Sequence, residues 1–309
     1  MEGFHLLSTT PAARLLVRGE DAAAFLLSQF SNELRPYTEQ RGAYGFWLDA
    51  KGKVLHDGWV FNKTSESFEV YSDYCAESDL RAKLEKYIIA DAVEVETLSQ
   101  GLTLRVMGAG ATRALKDCLG SIPEEGSFLE IGTCLVHADR SSETMGYLCR
   151  FSDAESPEVK ALIEQLEGLG GSFVSEDWMH ARRIEAGSSI VPNELCEDDL
   201  PGEAGEVGSA VCTTKGCFLG QESVLRLHNL GQARRGLYAV KGTGTTPTAP
   251  CPVTTNDEAK SAGTVRSVYQ TEDGWIGVAM LKLRYLETEM NCEGSPLVVS
   301  KAMGKQTNL

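Results

Sequence analysis

The chain has no C-x-x-C pair, although it holds nine cysteines, at 75, 118, 134, 149, 196, 212, 217, 251 and 292. The missing pair argues against a zinc ribbon, and the odd count argues against a disulfide framework; together they predict a reducing, cytoplasmic setting. Histidine is scarce too. There are five, with no helical pairing, and no metal site is expected. No stretch approaches eighteen consecutive apolar residues, and the start, MEGFHLLSTTPAARLLVRGEDAAAF, lacks a basic region followed by an apolar run. Neither a membrane span nor a signal peptide is expected. Positive charge is also in short supply: 29 Lys and Arg stand against 44 Asp and Glu, a formal charge of −15. That balance excludes bulk nucleic-acid binding, which needs a basic face, and leaves room for a local basic pocket.

What the 309 residues do contain is enough for two or three domains, with ordinary apolar and charged fractions. ARLLVRG reads as a strand, and EDAAAFLLSQF repeats its apolar residues at a helical period. AYGFWLDAKGKVLHDGWVF reads as two strands joined through the Lys-Gly turn at 51 and 52; SFEVYS is a strand, ESDLRAKLEKYII a helix and AVEVET a strand. The order then recurs. LTLRVMG is a strand, GATRALKDCLG a helix, SFLEIGTCLVHA and TMGYLCRF strands, EVKALIEQLEGLGG a helix ending in paired glycines, and SFVS a short strand. The expected fold is α+β, with a ferredoxin-like unit over 1–98 and a second over 99–176. EDWMHARRIEAG is a further helix, and NELCEDDLPGEAGE, 193–206, reads as an exposed acidic loop. From 237 to 309, short strands punctuated by Gly, Pro, Thr and Asp predict an antiparallel β-barrel.

Between these lies 177–236, with the most unusual stretch of the chain, KGCFLGQESVLRLHNLGQARR at 215–235. Lys215 precedes Cys217, and Arg226, Arg234 and Arg235 follow against a single acid, Glu222. A thiol beside a lysine is either an accessible thiolate, since nearby cations lower its pKa, or a small residue packing a turn. A dyad of Cys217 with His228 lacks a third, orienting group. Glu185, in RRIEAG, is either paired with a neighbouring arginine or a bidentate acceptor for the N–H pair of a heterocycle. Asp57 is a base or a surface residue. GAGATRA at 108–114 falls short of a dinucleotide fingerprint.

The octapeptide Lys215, Gly216, Cys217, Phe218, Leu219, Gly220, Gln221, Glu222 resembles the signature of the YgfZ family, relatives of the glycine cleavage T-protein. GEDAAAFLLSQFSNEL at 19–34 resembles that family's first helix. LDAKGKVLHDGWVF resembles its Gly-turn-Asp hairpin, RIEAG and the Leu200-Pro201 loop follow in order, and RLHNLGQARR resembles its Arg, Gly, Arg tail. The resemblance implies a cloverleaf of two ferredoxin-like units and a barrel around a folate-binding hole lined by 177–236. It implies tetrahydrofolate, or a one-carbon derivative, as cofactor. It also implies service to iron–sulfur proteins or their assembly factors, with tRNA modification enzymes as clients. By the same resemblance Cys217, Lys215 and Asp57 carry the chemistry, and Glu185, Arg226, Arg235, Gly220 and Gln221 hold the folate. T-proteins often have an adjacent Asp pair where this chain has His56-Asp57, which puts inherited aminomethyl transfer in doubt. A folate-dependent aminomethyltransferase or demethylase, and a non-catalytic interaction scaffold, are the competing readings.

Overall fold

The computed structural model describes residues 3–37, 40–124, 126–141, 146–231, 233–257 and 260–304. From the amino end run β1 (His5–Thr9), β2 (Ala13–Arg18), α1 (Ala22–Gln29), β3 (Gly42–Leu48), β4 (Val54–Thr64), β5 (Ser67–Ser72), α2 (Glu77–Glu85) and β6 (Glu94–Thr97). Next come β7 (Leu102–Met107), α3 (Ala111–Leu119), β8 (Phe128–Ile131), β9 (Cys134–Ala138), β10 (Gly146–Phe151), α4 (Pro157–Gly168) and β11 (Ser172–Phe173). Two helices, α5 (Glu176–Ala186) and α6 (Gln221–Leu230), lead into β12 (Arg235–Gly242), β13 (Cys251–Thr255), β14 (Ser261–Thr271), β15 (Gly274–Lys282), β16 (Met290–Cys292) and β17 (Ser295–Ala302).

The chain forms two compact units. The first takes the chain up to Trp47, His56–Ser175 and Thr214–Leu219; the second takes Leu48–Leu55, Glu176–Thr213 and everything from Gly220. In the first unit, β3-β4-β5-β2-β6 form one sheet and β11-β1-β7-β10-β9-β8 another. Alternation along the strands decides their faces. Leu15 and Val17 of β2, Val60 of β4 and Val70 of β5 pack with Phe25 and Leu26 of α1 and Leu80 and Leu84 of α2. Leu104 and Val106 of β7 and Tyr147 and Cys149 of β10 pack with Leu115 of α3 and Leu162 of α4. Ser156 caps α4 by accepting from the Val159 amide at 3.4 Å, and Pro157 opens its first turn.

β1 departs from the order the sequence suggests. It lies between β7 and β11, antiparallel to the first and parallel to the second. The segment before β2 therefore completes the later sheet.

The opposite faces of the two sheets meet in a layer that is half aromatic and half charged. Phe61, Tyr71, Phe128 and Leu135 form its apolar part, and the Trp59 and His137 rings lie 4.5 Å apart. Asp73, just past β5, pairs with Arg105 of β7 at 3.0 Å and with Arg150 of β10 at 2.9 Å. Arg105 also holds Asp139 at 2.9 Å, and Arg150 donates to His137 at 2.9 Å.

In the second unit, β12-β15-β14-β13-β16-β17 close into a barrel around Val240, Val253, Val265, Trp275 and Leu281. Cys251 and Cys292, 41 residues apart, are joined by a disulfide inside it, where the spacing predicted none. The α+β class and the C-terminal barrel are as expected.

Candidate functional site

The octapeptide is divided between the units after Leu219. In the first unit the Lys215 ammonium is buried and donates to the carbonyls of Leu27, Phe30 and Asn32, at 2.7, 2.5 and 2.9 Å. These are groups at the carboxyl end of α1, where unsatisfied carbonyls and the helix dipole favour a cation. Two residues past the thiol, the Leu219 amide donates to Ser28 O at 2.9 Å. Phe218 is buried, and the Lys215 ammonium lies 5.1 Å from its ring centroid. Cys217, between the two anchors, is exposed. Lys215 thus ties down the loop that carries Cys217.

In the second unit Gly220 opens α6 with φ +83°, and Gln221 is the first helical residue. Gly220 sits against the β3–β4 turn. A Cβ there would lie 2.5 Å from Asp49 O and 2.8 Å from the Cα of Gly52, itself at φ +78°. The Asp49 carboxylate accepts from the Lys51 and Lys53 amides at 2.8 and 2.7 Å and shapes that turn. The two glycine motifs singled out in the sequence are therefore packed against each other, and neither position has room for a side chain.

The stretch 193–206 is exposed only in part: Asn193, Glu197, Asp198 and Gly205 face solvent, the rest less so. Glu194, Asp199 and Glu206 are fully buried. Arginines supply the countercharge for Glu194 and Asp199. Arg183 of α5 is bidentate to Glu194 at 2.8 and 2.6 Å, and Arg266 of β14 pairs with Asp199. Burial opposes ionisation of Asp199, but its hydrogen bonds from Arg266 hold the carboxyl below its ordinary range. Arg235 belongs to the same network, 3.0 Å from Asp199 and 2.8 Å from Glu203. Arg226 stands exposed on α6.

Glu185 lies at the end of α5 and is half-buried. It accepts from Arg182 at 2.7 Å and from Lys241 of β12 at 3.4 Å, and its carbonyl accepts from Lys301. Arg182 in turn lies over the Trp178 ring, 5.4 Å from its centroid. Helical spacing places Arg183 and Ile184 inward and Arg182 and Glu185 outward.

Asp57, in β4 of the first unit, is 6 % exposed. Tyr44 Oη donates to its Oδ2 at 2.6 Å. On Oδ1 it receives Cys75 Sγ at 3.2 Å and Ser72 Oγ at 3.4 Å. Burial pushes its pKa up to about 6, against the hydrogen bonds from Tyr44 and Cys75 and the charge of Arg140. Burial also pushes the Cys75 thiol up, reinforced by the charge of Asp57. His56, beside Asp57 in the chain, is pushed down to about 4 by burial and is neutral near pH 7. Tyr44, Ser72, Cys75 and Arg140 escaped the sequence reading, because no spacing links them to Asp57. Among the described residues no group of His, Cys, Asp and Glu is arranged to hold a metal ion, and no helix is long and apolar enough to cross a membrane.

Residues 2–138 match the family model of the GCVT N-terminal domain. Over 282 residues the chain is 26 % identical to the "tRNA-modifying protein YgfZ" of Sodalis glossinidius, covering 88 % of this chain and 83 % of that protein. It is 27 % identical to the mitochondrial "Iron-sulfur cluster assembly factor IBA57" of Mus musculus, covering 95 % of this chain and 85 % of that one. In structure it is similar to glycine cleavage system aminomethyltransferase T from Bartonella henselae, with a TM-score of 0.79 at 20 % identity, covering 97 % of this chain and 85 % of the other. The chain is thus similar to the YgfZ and IBA57 proteins over most of its length, its N-terminal part matches the GCVT N-terminal domain, and its fold is T-protein-like.

Proposed function

We propose that this protein binds tetrahydrofolate, or a one-carbon derivative of it, and supports the assembly or repair of iron–sulfur proteins, with tRNA-modifying enzymes among its clients. The observation that carries this reading is its relation, over most of the chain, to proteins named for tRNA modification and for iron–sulfur cluster assembly. The residues present fit a folate. Glu185 is a half-exposed carboxylate already steadied by Arg182 and Lys241, and its remaining lone pairs suit the adjacent N–H donors of a pterin. Arg226, exposed on α6, offers a cation to the glutamate tail. Gly220 lets the start of α6, with Gln221, lie close to its neighbours. Arg235 serves by holding the acidic stretch in place, and Lys215 by holding the loop of Cys217. A bound folate supplies a nitrogen that carries one-carbon units; Cys217 supplies an exposed thiol.

Glu185→Gln is expected to weaken tetrahydrofolate binding about tenfold or somewhat more, since a hydrogen bond to a charged group contributes about 1.5–3 kcal/mol. Calorimetry on the folded variant reads this directly, and an unchanged affinity would remove Glu185 from the site.

One observation favours the second reading, folate-dependent aminomethyl transfer or demethylation. Asp57 is a buried carboxylate whose pKa of about 6 suits proton acceptance near neutral pH. Turnover of a methylamine donor in the presence of folate separates this activity from binding alone. The scaffold reading has less to rest on, because the acids it would present to a partner at Glu194, Asp199 and Glu206 are buried.

A further inference from the structure

A carboxylate as buried as Asp57 ordinarily takes up a proton or turns toward whatever donor it can reach. Here both oxygens are engaged from separate elements. β3 supplies Tyr44 at 2.6 Å from Oδ2. The end of β5 and the turn after it supply Ser72 and Cys75 on Oδ1, and the Ser72 hydroxyl also receives the Cys75 amide at 3.1 Å. The Asp57 amide points at the Cys75 sulfur at 3.5 Å, which closes the ring of contacts. Tyr44 is itself held from the other sheet, with the Arg140 guanidinium 3.8 Å from its ring centroid. Arg140 is placed by a turn in which Asp139 accepts from the Ser141 amide at 2.8 Å and is anchored by buried Arg105. The charged groups facing Asp57 are thus Arg140, which favours its ionised form, and Asp73, which opposes it.

We propose that Tyr44, braced by Arg140, is the positioning residue that keeps the buried Asp57 carboxylate charged and in a single orientation, with Ser72 and Cys75 fixing its other oxygen. This rests on the reading of Asp57 as a proton acceptor, and deepens it. The hydroxyl of Tyr44 is the shortest of the three donors and the one whose loss frees Oδ2. Ser72 and Cys75 share one oxygen, so either alone is replaceable by the other. Arg140 acts through space and through the Tyr44 ring, so its removal has a smaller effect.

The test is a carbon-13 titration of the aspartate side-chain carboxyls, with the Asp57 signal identified by its absence in Asp57→Asn. Tyr44→Phe removes one oxygen and preserves the ring under Arg140. Its expected effect is a rise in the Asp57 midpoint of about one pH unit, a tenfold gain in proton affinity. Arg140→Gln should give a smaller rise in the same direction, and Cys75→Ser, which keeps a donor, little change. An Asp57 midpoint unmoved in folded Tyr44→Phe overturns the proposal. If Tyr44→Phe does not fold, an unmoved midpoint in Arg140→Gln overturns it instead. No folate is present in this titration. A midpoint that moves while the protein fails to bind tetrahydrofolate would sink the proposed function and leave the role of Tyr44 standing.

Discussion

Replacing Asp73 with alanine is expected to cost about 3–5 kcal/mol of folding stability, the usual penalty for stripping one partner from a buried ion pair. Two guanidinium groups depend on this carboxylate, and the side chains of Arg105 and Arg150 are only 4 % and 1 % exposed. Arg105 keeps Asp139, but Arg150 is left with the His137 ring and the Thr103 hydroxyl. The comparison is Glu94→Ala, which breaks an exposed pair with Arg18, and such pairs contribute at most about 1 kcal/mol. Urea unfolding of the two variants measures the contrast, and equal small losses would show that the charged layer does not join the sheets. The pH dependence has a definite sign. Burial opposes ionisation of Asp73, yet Arg150 and Arg105 hold its carboxyl below the ordinary range. Its contribution is therefore present above the unfolded pKa of about 4 and is lost as pH falls further. Asp57 runs the other way. Its folded pKa of about 6 lies above the unfolded one, so its contribution is present in acid and lost as pH rises through about 6.

Cys217→Ser is expected to abolish rescue of iron–sulfur enzyme activity in cells lacking the protein, while leaving the molecule folded. The loop is pinned on both sides of the thiol by Lys215 and Leu219, and Phe218 rather than Cys217 fills the interior. An exposed side chain exchanged for one of similar size changes stability by about 0.5 kcal/mol or less. Folate binding should survive, since the proposed contacts are Glu185 and Arg226. Melting temperature, folate affinity and rescue measured on the same variant separate the roles. Full rescue by the serine variant would take the thiol out of the mechanism and leave the octapeptide as a structural turn.

Much of this was legible because local pattern and local structure agree. The Lys51-Gly52 turn, the helical face of ESDLRAKLEKYII and the paired glycines after α4 are properties of their own segments. The octapeptide was legible as a motif, but the backbone contact with Asp49 and Gly52 that demands its Gly220 comes from far away in the chain. What escaped depends on partners far away in the chain. β1 is five residues long, and its neighbours β7 and β11 lie about a hundred residues and more beyond it. Asp199 and Glu203 look solvent-facing until Arg235 and Arg266 are brought beside them. Arg105 and Arg150 interrupt the largely apolar strands β7 and β10, a sequence signal of a charged inner face. Nothing in the spacing of Tyr44, Asp57 and Cys75 announces that three segments meet at one carboxylate.

The proposed binding of a reduced folate is measured directly by a calorimetric titration of tetrahydrofolate into the intact wild-type chain. Saturable binding to one site per chain is expected, accompanied by a rise in melting temperature as ligand is added. A flat titration up to about 1 mM folate, where binding would be worth only about 4 kcal/mol, together with an unmoved melting temperature, would contradict it.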